Sequence, residues 1–211
     1  MGLKKATTKQ HKTDASDEHR HDKRNQQHLL EQLGESYSEN RRLAALDLGA
    51  YPEAVETLCT QLANESNLAV VEAIFSSLIR IAGTSVVQRL LPFLRSENAV
   101  LRNQTVEALQ LLPDDLEPHM EELLHDDDAD VRIFAINIIG NLKHSRVNTW
   151  LNQVIEQDIN LNVCTTAVDV LAEVGTEENI PALKALPARF SNNSYVNFAV
   201  DLTIKRISGD D

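Results

Sequence analysis

Residues 128–144 read DADVRIFAINIIGNLKH, and the order of their apolar side chains decides the fold. Counted from Val131, apolar or small residues fall at offsets 4, 7, 8 and 11: Ala135, Ile138, Ile139 and Leu142. At 3.6 residues per turn these positions share one arc roughly 100° wide, so the stretch predicts an amphipathic helix with a single buried face. The lines on either side repeat it. NAVLRNQTVEALQLLP, residues 98–113, places Thr105, Ala108, Leu109 and Leu112 at the same offsets from Leu101. INLNVCTTAVDVLAEVG, residues 159–175, places Ala167, Val170, Leu171 and Val174 after Val163. Extending the register gives six anchors, Asn40, Val70, Leu101, Val131, Val163 and Val196, spaced 30 to 33 residues apart.

A second helical pattern lies between these. AVETLCTQLANES, VVQRLLPFLRSEN, LEPHMEELLHDDD and RVNTWLNQVIEQD each carry apolar residues at helical spacing and close in an acidic or amide-rich turn. Such turns supply N-caps for the helix that follows. Turn signals at AGTS (82–85), LPDD (112–115) and VGTEEN (174–179) separate the pairs in the other direction. NQQHLLEQLGESYSEN supplies a partner helix before Asn40. The expected organisation is six helical hairpins, about 22–50, 51–82, 83–112, 113–143, 144–174 and 175–208. A polar N-terminal arm (1–21) and a short tail (209–211) flank them. One hairpin cannot bury its apolar face alone, whereas stacked hairpins share a continuous core. The expected fold class is therefore all-α, an α-solenoid.

Composition agrees and narrows the function classes. Aromatics are only 4% of the chain and glycines number 7, which favours helices over sheets. A formal charge of −12 argues against a nucleic-acid or anionic-lipid surface, because phosphate binding needs a concentrated basic face. Apolar runs are too short for a membrane span and the N-terminus lacks a secretory core, so a cytoplasmic location is expected. Cys59 and Cys164 sit in apolar helical patterns and read as buried thiols.

The chain resembles the HEAT-repeat family, especially the short HEAT-like type found also in phycobilisome lyase relatives. The resemblance rests on Val131–Arg132 and Leu101–Arg102, the small residues Ala135 and Ala167, the endings at Ile139–Gly140 and Val174–Gly175, and the acidic turn from Asp126. It spans about residues 22–208, with Asn40 at the first anchor and Val71 and Asn197 where arginine would follow the second and sixth. It implies a right-handed stack whose Val–Arg-type helices line the concave side. It implies no single activity.

On those helices offsets 2, 5, 6 and 9 point away from the buried arc. They carry Leu46, Phe75, Ile79, Val106, Ile133, Ile136, Val168, Phe198 and Leu202, interleaved with Glu72, Glu107, Asn137, Asp169 and Asp201. Two readings stand side by side: a groove for an amphipathic or basic peptide, or a stripe half of which, at offset 5, is covered by adjacent helices.

Reactive constellations are not evident. His11, His19 and His21, with Asp17, Glu18 and Asp22, lie in a hydrophilic arm without an apolar second layer to fix ligands. Asp126, Asp127, Asp128 and Asp130 lack the glycine and closing glutamate of a calcium loop and read as a helix-capping turn. No His–Glu dipeptide suits a di-iron site, and Trp150 falls on an apolar helix position, so it reads as core. No catalytic residue, metal ligand or cofactor is expected. The function expected is a non-catalytic scaffold or adaptor that binds a partner protein or peptide on its concave face, with self-association a further possibility. The alternative is a bilin-lyase-type protein in which the same groove handles a chromophore.

Overall fold

A computed structural model describes residues 26–209. The N-terminal arm, with its three histidines, and the last two residues of the tail lie outside the described residues. These residues form helices joined by short turns, with no strand among them. They divide into two compact units, one running to Ser77 and one from Leu78.

The first unit contains α1 (26–33), α2 (Ser38–Leu48), α3 (Val55–Asn64) and most of α4 (Leu68–Ile81). Leu29, Leu33, Ala44, Leu48, Leu58, Leu62, Val70 and Ile74 are buried, as the apolar arc of each helix requires. The second unit contains α5 (Thr84–Leu90), α6 (Ala99–Gln110), α7 (Pro113–Leu116), α8 (Met120–Leu124) and α9 (Ala129–Ile139). It continues with α10 (Val147–Gln157), α11 (Leu161–Val174), α12 (Ile180–Arg189) and α13 (Ser194–Ser208). Here α6, α9, α11 and α13 pack consecutively as one row, while α5 neighbours α7 and α10 neighbours α12 in a second row. Contacts of α8 with α9, α10 with α11 and α12 with α13 join the rows into a two-layer α-solenoid.

The second row is less regular than its apolar spacing suggests. α5 gives way to a 3-10 turn at Leu91–Arg95, and a further one at Glu117–His119 separates α7 from α8. Pro92 and Pro118 fall at the starts of these turns. A proline donates no N–H and clashes with the carbonyl four residues back, which favours a kink or break in the α-helix at these points.

Three residues before the anchor, an amide or carboxylate caps α4 and each helix of the first row. Asn67 Oδ1 accepts from the Ala69 and Val70 amides. Asn98 accepts from Val100, Asp128 from Asp130, Asn160 from Asn162 and Val163, and Asn193 from Tyr195 and Val196. These are the acidic and amide-rich turns of the sequence, satisfying the first orphan N–H groups of the helices they precede.

The arginine after the anchor ties one hairpin to the next. Arg132 donates to the Asp126 carbonyl behind it at 2.7 Å, and its Nε reaches Asp158 ahead at 2.6 Å. Arg41 behaves alike in the first unit. Its guanidinium spans the Glu35 and Ser36 carbonyls and makes a two-pronged pair with Glu65 at 2.8 and 2.9 Å. The Glu65 side chain is only 2% exposed. Arg41 and amides from Asn67 and Gln61 hold its carboxyl well below the usual range, at about 2, against the opposing pull of burial. Both thiols are buried, and burial pushes Cys164 up to about 11, where it is inert as a nucleophile at neutral pH.

Candidate functional site

The exposure of each first-row helix depends on which flank meets the following hairpin. Thr203 Oγ1 on α13 donates to the Val168 carbonyl on α11 at 3.3 Å. Ser77 Oγ likewise donates to the Ala45 carbonyl at 2.7 Å. Both acceptors stand at offset 5, so that offset belongs to the flank between repeats. Ile136 and Val168 are accordingly fully buried, and Phe75 is buried at the same offset. The expectation that Phe75, Ile136 and Val168 line an open wall is thereby corrected: they are core. The half-buried group comprises Leu46, Ile79, Val106 and Ile133.

What faces solvent is offset 6, with offset 2 on some helices. Glu107 on α6, Asn137 on α9, Asp169 on α11 and Leu202 on α13 are exposed at offset 6 in consecutive repeats. Glu72 on α4 is exposed as well. Over α6, α9 and α11 this face is polar to acidic. On α13 it turns apolar: Phe198 is 67% exposed and Leu202 44%. Tyr195, which the offset scheme left out, is 56% exposed beside them. Its offset of −1 lies on the same helical arc as 2 and 6, and that arc is the signal by which it could have been found. The expected continuous apolar stripe is thus one apolar patch at α13 next to an acidic field.

Between α9 and α11 lies a groove of about 620 Å³ bordered by Gln110, Asn137, Gly140, Asp169, Val170 and Glu173. Gly140 lets α11 come close: a Cβ there would meet a Val170 methyl at 3.0 Å. Gln110 Nε2 donates to the Asn137 carbonyl at 3.1 Å and closes one end. Glu173 is paired with Arg206 of α13 at 2.9 Å. Asp169 is different. No cation among the described residues pairs with it, and the groove walls hold its carboxyl above the ordinary aspartate range by partial desolvation.

The second row carries one further polar cluster. Arg146 pairs with Glu121 at 2.6 Å and lies 4.9 Å from the Trp150 ring centre, and His144 stacks on that ring at 5.1 Å. Trp150 is fully buried, the core position read from the sequence. Among the described residues no three His, Cys, Asp or Glu side chains converge to hold a metal ion. No helix among them is long and apolar enough to cross a membrane.

The HEAT repeats family matches residues 27–110 and 116–194, and the chain belongs to that family. Its repeat fold commonly serves as a protein-interaction scaffold. Among solved structures, the chain is similar to the archaeal HEAT-like repeats protein from Thermococcus onnurineus NA1 at 17% identity. That match covers 90% of this chain and 92% of that one, with a TM-score of 0.43. An engineered protein matches at 17% identity over 87% of this chain and 96% of its own, TM-score 0.41. A designed armadillo repeat protein matches at 16% identity over 85% and 98%, TM-score 0.36. No curated protein matches the chain.

Proposed function

We propose that the protein is a non-catalytic interaction module whose first-row face in the second unit receives a partner protein or peptide of amphipathic, basic character. The carrying observation is the exposure of Tyr195, Phe198 and Leu202 on one arc of α13 beside the acidic residues of α11. Apolar side chains at such spacing lose water favourably when a guest covers them, and aromatic ones contribute most of the contact area. Acid around them steers a positively charged guest and accelerates the encounter. HEAT-repeat membership supports the reading without specifying the guest. A pigment-handling role draws no support from any feature of this face.

The test is binding of a purified partner to the wild-type chain and to a Phe198→Glu, Leu202→Glu double variant. Both side chains are exposed, so the variant keeps its helical circular dichroism while losing the partner. Equal binding by the two proteins overturns the assignment of this face. Raising salt from 50 to 500 mM slows association with the wild-type chain; a salt-independent rate removes the acidic steering.

A further inference from the structure

We infer that the groove between α9 and α11 is a specificity pocket for one lysine or arginine side chain of the guest, with Asp169 as its counter-ion. This rests on the interaction reading above and adds to it a single-residue rule for which guests are accepted. Three observations carry it. Asp169 is unpaired among the described residues, whereas the neighbouring acid Glu173 already holds Arg206. A groove of about 620 Å³ lies beside Asp169, Gly140 letting Val170 of α11 pack closely at its wall, and its polar border offers the Asn137 and Gln110 amides. Asp169 and the apolar Leu202 occupy the same offset on adjacent helices, so cation seat and apolar seat are next-door neighbours.

The chemistry favours a cation on a flexible apolar stem. A lysine or arginine lays its methylenes against Val170 and brings its charge to the carboxylate at the rim. Partial desolvation makes an unpaired carboxylate there costlier than one in open water, and a guest cation removes that cost. A glutamate in the same place would meet Asp169 and Glu173 and be rejected by like charge.

The spacing of the guest follows from that of the helices. Packed helices stand about 8–10 Å apart, so the cation and the apolar anchor of the guest must be separated by that distance. A helical guest crossing the row meets the requirement with a basic residue about seven positions from its apolar pair, at 1.5 Å per residue. A guest in the polyproline II conformation, with three residues per turn and about 3.1 Å per residue, needs about three positions.

A displayed library of random 16-residue peptides, selected against the full-length chain, tests both levels. The wild-type chain is expected to enrich peptides with an apolar pair and a Lys or Arg at one of these spacings. Asp169→Lys is expected to replace that Lys or Arg by Asp or Glu while keeping the apolar pair. The best wild-type peptide should bind Asp169→Asn roughly tenfold more weakly, with no change in thermal melting, since Asp169 is an exposed side chain. Enrichment of the apolar pair without a basic residue, or an unchanged pool on Asp169→Lys, sinks the pocket and leaves the interaction face standing. Failure to enrich any peptide that distinguishes wild type from the Phe198→Glu, Leu202→Glu variant sinks both.

Discussion

α11 and α13 are built on the same register yet present opposite surfaces. At offset 5, α11 has Val168, fully buried, and α13 has Asp201, exposed. At offset 6, α11 has exposed Asp169 and α13 exposed Leu202. The difference at offset 5 has a simple cause: α13 covers that flank of α11, and no described helix covers the same flank of α13. Asp201 and Lys205 are exposed on that flank. The difference at offset 6 has no such packing cause, because both positions face solvent. That contrast at offset 6 is the one the proposed interaction face rests on.

The comparison can be broken most violently at offset 5. Val168→Asp places an unpaired carboxylate in a dry inter-helix flank and should cost roughly 4 kcal/mol or more, enough to abolish a cooperative urea transition. The matching change Asp201→Val should leave the midpoint nearly unmoved. Equal effects at the two sites would mean that offset 5 is not the inter-repeat flank.

The next largest effect lies in the arginine bridges. Glu65→Gln leaves the Arg41 guanidinium with a neutral partner in a nearly closed site and should cost about 3 kcal/mol. The sign of its pH dependence follows from a carboxyl held near 2 in the folded chain against an ordinary 4.5. Its stabilisation is fully present above about pH 4.5 and is lost as the pH falls towards 2. Denaturation midpoints measured from pH 7 to pH 2.5 should therefore fall more steeply for wild type than for Glu65→Gln. Parallel curves would remove the bridge from the stability account.

Smaller still is the cap of α11. Asn160→Ala leaves the Asn162 and Val163 amides without their acceptor and should lower stability by about 1 kcal/mol, read from the same urea titration. Least affected is α13 itself. Leu202→Glu should change stability by no more than about 0.5 kcal/mol, because the side chain is already in water. A loss of several kcal/mol there would show that Leu202 is structural and would weaken the contrast with Asp169.

Much of this was legible in the chain. The period of the apolar residues placed Ala135, Ile138 and Ile139 in the core, and all three are buried. Two of the acidic or amide-rich turns end on Asn98 and Asp128, and both side chains cap the helix that follows. The arginine bridges went unread, although a signal was present. Acid stands five residues before the anchor at Glu65, Asp126 and Asp158, one repeat after Arg41, Arg102 and Arg132. Where Val71 and Cys164 replace the arginine, the next repeat has Ser96 and Ser191. Even that pattern would have misassigned one pair. Asp126 is bound by Arg95, while Arg102 turns to the Ser96 carbonyl and the Phe134 ring.

The sequence by itself determined the helical period, the hairpin register and the capped turns, because these depend on contacts within a few residues along the chain. Only the tertiary structure decided which of the outward offsets meets water. A helix has one core arc set by its own pattern and two flanks whose fate depends on how the neighbouring helix crosses it. Ile136 and Val168 lie on such a flank and are closed; Phe198 and Leu202 lie beyond it and stay open.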